Sequence, residues 1–163
     1  MKKLLFLFLV LVSCQVQTPE LTTFILVRHA EKADDGTKDP GLTPEGVQRS
    51  ENLLALLNKA DITAVYSTDY KRTRLTVEPL AESKSLAIQS YDWQDPEAML
   101  KKMIKDYPGG TVVISGHSNT TPVLANILLG SEVYQQFDDA DYGNLLVITA
   151  SETGNGKVVH LSY

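Results

Sequence analysis

Residues 23–36 of the chain read TFILVRHAEKADDG. The stretch opens with an apolar, β-branched run, which is typical of a buried strand. It then changes abruptly, at Arg28 and His29, into a polar and acidic segment. Either the strand simply reaches solvent at this point, or the two basic side chains bind an anion. The residues that follow the other predicted strands decide between these two explanations.

Strands and helices alternate in the pattern of apolar residues. Runs at residues 22–27, 62–67 and 111–115 predict buried strands, with helical segments between them. This alternation predicts an α/β fold of three layers, in which a mainly parallel central sheet is flanked by helices. Two further apolar runs, at 144–149 and 157–162, are separated by the turn sequence ETGNG and predict an antiparallel hairpin.

Several residues mark where the helices begin and end. Thr43 and Asp95 are each followed by proline, a combination that is typical of a helix N-cap and first turn. A further helix is predicted from about Asp69 to Ser83, and Pro79 inside it predicts a kink or an early end.

Basic residues follow three of the predicted strands. Arg28 and His29 come after the first strand, Arg72 begins the helix after the second, and His117 follows the third. Ligands of parallel α/β sheets bind beyond the carboxyl ends of the strands. We therefore expect two arginines and two histidines at one edge of the sheet, which favours an anion site over a strand that merely reaches solvent.

This combination of side chains suits phosphoryl transfer. A neutral imidazole can attack phosphorus and form a phosphohistidine. Arginine offers fixed, forked donors that match phosphate oxygens and stabilise the charge on the transferring group. A carboxylic acid is then needed to protonate the departing alkoxide.

Four segments, LVRHAEK, LTPEG, YSTDYKRTRLT and VVISGHSN, resemble in order the motifs of the histidine phosphatase (phosphoglycerate-mutase-like) superfamily. The resemblance implies a phosphoglycerate-mutase-like fold and a phosphatase that needs neither metal nor cofactor. It implies that His29 is the phosphorylated nucleophile and that Arg28, Arg72 and His117 complete the phosphate pocket. Ala30 stands where the family commonly has glycine. The GHSN segment is similar to small bacterial members, some of which act on phosphorylated envelope sugars.

The resemblance also implies a proton donor some twenty-odd residues beyond the second arginine. That window holds Asp92, Asp95 and Glu97. Asp92 follows a weak predicted strand directly and is our prediction for the donor. Asp95 and Glu97 stay open as alternatives, although helix capping and a favourable first-turn position already explain them.

Three more residues are candidates for substrate binding, each with a plainer alternative. Ser67 could bind a phosphate oxygen or simply turn the chain, and Asn119 could bind the leaving group or cap a helix. Glu31 could contact substrate or form a solvated pair with Lys32. His160 lies in the last predicted strand and is interpreted as structural. The three histidines lack ligand spacing, so no metal site is predicted.

Two other functions stay open. If the proton donor has been lost, the chain is a non-catalytic phosphate-binding module. Alternatively, GHSNT at residues 116–120 resembles a nucleophile elbow, with Ser118 as the nucleophile of a serine hydrolase and Thr120 in place of the final glycine. Among phosphoryl-transfer enzymes, the short loops between the motifs favour a phosphatase over a mutase, and the expected substrate is a small phosphorylated molecule.

The first residues have the layout of a bacterial lipoprotein signal. Residues 1–13 contain two lysines and an apolar core, and Cys14, the one cysteine of the chain, follows at the position that is lipidated. We expect an exported protein held on the periplasmic or outer cell-surface side of a membrane, with a tether at 14–22 and the domain at 23–163.

The net negative charge of the chain restricts the kinds of molecule that it is expected to bind. Loss of Lys2 and Lys3 leaves 13 basic residues against 20 acidic ones. This balance argues against nucleic-acid binding, and we expect a monomer or a weak dimer.

We predict that the domain folds without its leader. A chain that starts at about Pro19 should be soluble and should retain its structure by circular dichroism, because the pattern of core residues begins only near Thr23. Acyl labelling of the full chain should disappear in Cys14→Ser. Insolubility of the shortened chain would show that the leader belongs to the fold.

Overall fold

The computed structural model describes residues 19–163. The predicted signal peptide, Cys14 and the first part of the tether lie outside the described residues. The strands are β1 (Thr22–Arg28), β2 (Ala64–Ser67), β3 (Ile88–Ser90), β4 (Thr111–Gly116), β5 (Asn144–Ala150) and β6 (Lys157–Ser162). The helices are α1 (Pro44–Leu57), α2 (Lys71–Ser83), α3 (Pro96–Asp106) and α4 (Thr120–Leu129). β1 thus begins at the last residue of the predicted tether.

The strands form one sheet in the order β3-β2-β4-β1-β5-β6. The first four of these pair in parallel, and β5 and β6 add an antiparallel hairpin beside β1. The predicted mainly parallel sheet and the predicted hairpin are therefore confirmed. In the central pairs Arg28 lies opposite Gly116, and Ser67 lies opposite Ser115. The carboxyl ends of β1, β2 and β4 consequently meet at one edge.

Both faces of β1 are covered by helices. Phe24 and Leu26 belong to the core cluster that includes residues of α3 and α4. Ile25 and Val27 belong to the opposite cluster, which includes residues of α1 and α2. Burial on both sides explains why β1 reads as a continuous apolar run. Within residues 19–163, no helix has the length and apolar character needed to cross a bilayer.

The predicted helix starts at Thr43 and Asp95 are confirmed. The Thr43 hydroxyl accepts a hydrogen bond from the Gly46 amide at 3.1 Å, and the Asp95 carboxylate accepts one from the Ala98 amide at 3.1 Å. α2 continues through Pro79 to Ser83, so the early end expected from this proline does not occur. Buried residues on both sides of Pro79 hold the helix against the core, and such packing outweighs local preference.

The start of α1 packs on the backbone just after His29. The Thr43 amide donates to the Glu31 carbonyl at 2.9 Å. Gly46 lies so close that a Cβ atom built there would be 2.4 Å from the Glu31 carbonyl oxygen. Glycine at this position therefore lets α1 hold the segment that carries the site.

Gly46→Ala should lower the free energy of unfolding by about 1–3 kcal/mol, because the added methyl group meets fixed backbone. Alanine is a better helix former than glycine by about 1 kcal/mol, so the same substitution at an uncrowded helical site would raise the free energy of unfolding. Gly41→Ala is the matched control, since its nearest atom would be Leu75 Cδ1 at 3.6 Å. Chemical denaturation measures both variants, and equal stability of the two would contradict this account.

Candidate active site

A cavity of about 380 Å³ opens at the carboxyl edge of the sheet. It contains the four basic residues that the sequence predicted together: Arg28, His29, Arg72 and His117. Eight other residues complete its lining: Lys32, Tyr70, Trp93, Ser118, Asn119, Thr120, Asp139 and Tyr142. An acidic chain thus concentrates positive charge at one place, as an anion site requires.

The imidazole of His29 is buried, with 5% of the residue exposed, and it is held in one orientation. Nδ1 lies 2.8 Å from the Ala30 carbonyl oxygen. Because a carbonyl only accepts, Nδ1 carries the proton and Nε2 keeps its lone pair. The Ala30 amide donates in turn to the Thr76 hydroxyl at 2.8 Å, which fixes this backbone to α2.

The surroundings of His29 keep it uncharged. Burial, which penalises the charged form, lowers the pKa of His29 to about 4, and the positive charge of Arg28 adds to this effect. The hydrogen bond to Ala30 acts in the opposite direction but does not offset them. At neutral pH the side chain is therefore a neutral imidazole with a free Nε2, which is the form that a nucleophile needs.

Arg28 is held by the loop between α4 and β5. Its Nη1 donates to the carbonyls of Asp138 and Asp141 at 2.8 and 3.0 Å. Nη2 lies 3.6 Å from the Asp139 carboxylate, and the guanidinium carbon lies 4.1 Å from the centre of the Tyr142 ring. These contacts set the plane of the guanidinium group. The sequence did not reveal them, because the loop lies more than a hundred residues along the chain and carries no strand-end pattern.

Arg72 is placed by the first turn of α2. Its guanidinium carbon lies 4.5 Å from the centre of the Tyr70 ring, and Nη1 lies 3.7 Å from an Asp39 carboxylate oxygen. The Nε atoms of Arg72 and Arg28 are buried and have no hydrogen-bond acceptor among the described residues. Buried donors without acceptors cost free energy, which a bound oxyanion can offset.

His117 lies edge-on to His29, with 5.4 Å between the ring centres. Its Nε2 is 2.9 Å from the Thr68 hydroxyl, which also bonds the Thr73 hydroxyl at 3.0 Å. Burial and the charge of Arg72 lower the pKa of His117 to about 4. The second histidine is therefore oriented by threonines and is also neutral when the cavity holds no anion.

The three additional candidates for substrate binding, Asn119, Ser67 and Glu31, lie in different places. Asn119 lines the cavity, and its side chain makes no capping hydrogen bond to α4. Ser67 is fully buried, and its hydroxyl donates to the Thr68 carbonyl at 2.8 Å. Glu31 bonds Arg49 through both oxygens, at 2.6 to 3.0 Å. Neither Ser67 nor Glu31 is part of the cavity lining.

The predicted proton donor lies in the neighbouring cleft, of about 670 Å³, rather than in the His29 cavity. Tyr70 and Trp93 line both spaces. A carboxylate oxygen of Asp92 accepts from the Gln94 amide at 2.9 Å. Asp95 caps α3, and Glu97 pairs with Lys101 at 2.7 Å. The structure thus brings none of the three candidate acids into the cavity.

His160 does not line this cavity. It lies on β6, where Nε2 is 2.7 Å from the Asn144 side-chain oxygen, and it packs against Tyr134. Among the described residues, the Ser118 hydroxyl is paired with Asp139 and not with His160, so the base that the serine hydrolase alternative needs is not bonded to it. Within residues 19–163, no three His, Cys, Asp or Glu side chains are grouped closely enough to hold a metal ion.

Part of the chain is similar to a known protein family. Residues 24–92 match the model of the histidine phosphatase superfamily, branch 1. The chain thus resembles this superfamily over a segment of less than half its length. It is also 33% identical over 78 residues to phosphoserine phosphatase 1 of Hydrogenobacter thermophilus. That match covers 44% of this chain but only 37% of the length of the relative.

Solved structures share the fold. The protein histidine phosphatase SixA, complexed with tungstate, superposes with a TM-score of 0.72 over 86% of this chain and 96% of its own, at 21% identity. Phosphoserine phosphatase from Entamoeba histolytica, complexed with 3-phosphoglyceric acid, gives 0.63 over 78% and 90% of the two chains, at 16% identity. At these identities the likeness concerns the fold, and it confirms the predicted architecture.

The two cavity histidines should titrate well below the ordinary value of 6.5, near pH 4. Between pH 6.5 and about pH 4 an exposed histidine becomes protonated, whereas these two rings should stay neutral. Ring-nitrogen NMR shifts followed from about pH 8 to about pH 3 measure this directly. Arg72→Gln should raise the pKa of His117 more than that of His29, because Arg28 is the stronger charge at His29. Titration of either ring near 6.5 in the unaltered protein would contradict the prediction.

Proposed function

We propose that the chain is a phosphomonoester hydrolase that works through a phosphohistidine on His29. One observation supports this most strongly: a buried, neutral imidazole with a free Nε2 lines the same cavity as two oriented arginines and a second histidine. Such a set can bind a phosphate dianion and attack it without an external base.

The proposed reaction has two steps. Arg28, Arg72 and His117 hold the phosphoryl oxygens and stabilise the charge that spreads over them in the transition state. His29 Nε2 attacks phosphorus in line with the departing oxygen and forms a nitrogen–phosphorus bond. Water then attacks the phosphohistidine and releases inorganic phosphate. The arginines supply the positive charge that a divalent ion provides in other phosphatases, so we propose that no metal takes part.

The proposed substrate is a small phosphorylated metabolite or a sugar phosphate of the cell envelope. A cavity of about 380 Å³ suits a small molecule. The similarity to a phosphoserine phosphatase favours a compact phosphomonoester. Lipidation of Cys14 would place the site outside the cytoplasm, where sugar phosphates of the envelope are accessible.

A non-catalytic phosphate-binding module is the second candidate. One observation favours it: Asp92, Asp95 and Glu97 all lie outside the cavity lining. Turnover of an aryl phosphate separates the two candidates, because this leaving group scarcely needs a proton. Binding of phosphate without any turnover would support the module.

His29→Ala should lower the turnover of an aryl phosphate by at least about 1,000-fold, because the nucleophile is removed. Binding of tungstate should persist in part through Arg28 and Arg72. With a labelled substrate, alkaline quench should trap an acid-labile, base-stable phosphoryl group on His29, which peptide mapping locates.

Matched variants serve as controls for this experiment. His117→Ala should slow turnover while still allowing His29 to be labelled, and Ser118→Ala should retain the label on His29. Excess chelator should leave the rate unchanged. Label found on Ser118 or His117, near-normal turnover of His29→Ala, or a rate that chelator abolishes and added metal restores would each refute part of the mechanism.

A further inference from the structure

Among the described residues that line the His29 cavity, Asp139 is the only one with a carboxyl group. It lies on the loop between α4 and β5, far along the chain from the window in which the sequence placed the donor. We propose that Asp139 is the proton donor to the leaving group. This inference rests on the proposed phosphatase activity and identifies the acid that the activity needs for alkyl substrates.

The position of Asp139 is fixed by the same contacts that hold the site. Arg28 binds the carbonyls of Asp138 and Asp141 on either side of it. The Phe137 amide donates to the Ser118 carbonyl at 3.0 Å, which ties the start of the loop to the segment after His117. The Asp139 carboxylate itself lies 3.4 Å from the Ser118 hydroxyl. An exposed side chain is thus carried on a backbone that Arg28 and the segment after His117 hold in place.

Other nearby carboxyl groups are occupied elsewhere. Glu31 is paired with Arg49. Asp39 accepts from the Lys71 amide at 3.0 Å and lines the neighbouring cleft. Asp92 is bonded to the Gln94 amide in the neighbouring cleft. Each would have to leave its present partner and move into the cavity, whereas Asp139 already lines it.

Substrate binding itself supplies the reason for Asp139 to carry a proton. In the structure its carboxylate lies 3.6 Å from Nη2 of Arg28. A phosphate dianion that binds Arg28 becomes a second anion beside this carboxylate, and two anions so close are stabilised when they share a proton. The side chain is 87% exposed, so it can take that proton from solvent.

The proposed reaction transfers a phosphoryl group to His29 and a proton from Asp139 to the leaving oxygen. The Nε2 lone pair of His29 forms the bond to phosphorus, and the electron pair of the breaking phosphorus–oxygen bond goes to the leaving oxygen. Asp139 gives its proton to that oxygen, so a neutral alcohol departs and a carboxylate remains. In the second step the carboxylate takes a proton from the attacking water, which returns Asp139 to its protonated form as phosphate leaves His29.

Asp139→Asn and Asp92→Asn form a matched pair for the test, because each replaces one carboxyl by an amide of the same shape. Each variant is assayed with p-nitrophenyl phosphate and with a simple alkyl phosphate. Asp139→Asn should lower kcat/KM for the alkyl ester by at least about 100-fold while the aryl ester changes only a few-fold. Asp92→Asn should leave both rates near those of the unaltered protein. Asp139→Glu, which keeps the acid, should restore part of the alkyl activity.

These assays test the role of Asp139 and the phosphatase activity separately. An equal loss for both substrates in Asp139→Asn, or a selective loss in Asp92→Asn, would overturn the assignment while His29 stays the nucleophile. Turnover of the aryl ester with none of the alkyl ester in the unaltered protein would do the same, since no donor would then be working. If the unaltered protein hydrolysed neither ester, the proposed phosphatase activity would be rejected, and with it the proposed role of Asp139.

Discussion

Arg28 lies opposite Gly116 in the parallel pairing of β1 with β4, and the His29 amide extends that pairing with a hydrogen bond to the Gly116 carbonyl at 2.9 Å. This register puts two histidines side by side at the end of two neighbouring strands. A shift of one residue would turn His29 toward the opposite face of the sheet. Burial of both faces of β1 under helices resists such a shift, because it would exchange the side chains of two filled cores.

The same packing accounts for the chemistry of the site. Removing His29 and His117 from water, next to two guanidinium groups, disfavours their charged forms and leaves neutral rings. The arginines, which stay charged, are held mainly by carbonyl oxygens and aromatic rings, and their nearest carboxylates, on Asp139 and Asp39, lie at the longer distances of 3.6 and 3.7 Å. The positive charge of the cavity therefore stays available to an anion, and its donors need little rearrangement when that anion binds.

The two sides of the cavity are built in different ways. The proposed nucleophile and the proposed phosphate-binding residues lie on strand ends or on the first turn of a helix, where the sheet fixes them. The opposite side of the cavity is formed by loop residues, among them Asp139, Tyr142 and Trp93. Loops tolerate change more readily than a sheet does, so substrate choice can differ between proteins that share this fold. In this chain Arg28 joins the two sides, because the strand positions it and the loop orients it.

The sequence by itself determined the layered α/β architecture, the helix starts and the grouping of Arg28, His29, Arg72 and His117, because apolar periodicity, capping residues and strand ends are local signals. It could not determine which carboxyl group lines the cavity, nor that Ser67 and Glu31 are absent from the lining. Asp92 comes shortly after a strand, as His29 and His117 do, but β3 is an edge strand and Asp92 lies in the next cleft. Asp139 follows no parallel strand and enters the cavity because Arg28 binds its loop from the centre of the sheet. Such a contact joins residues more than a hundred positions apart, so only the tertiary structure could decide it.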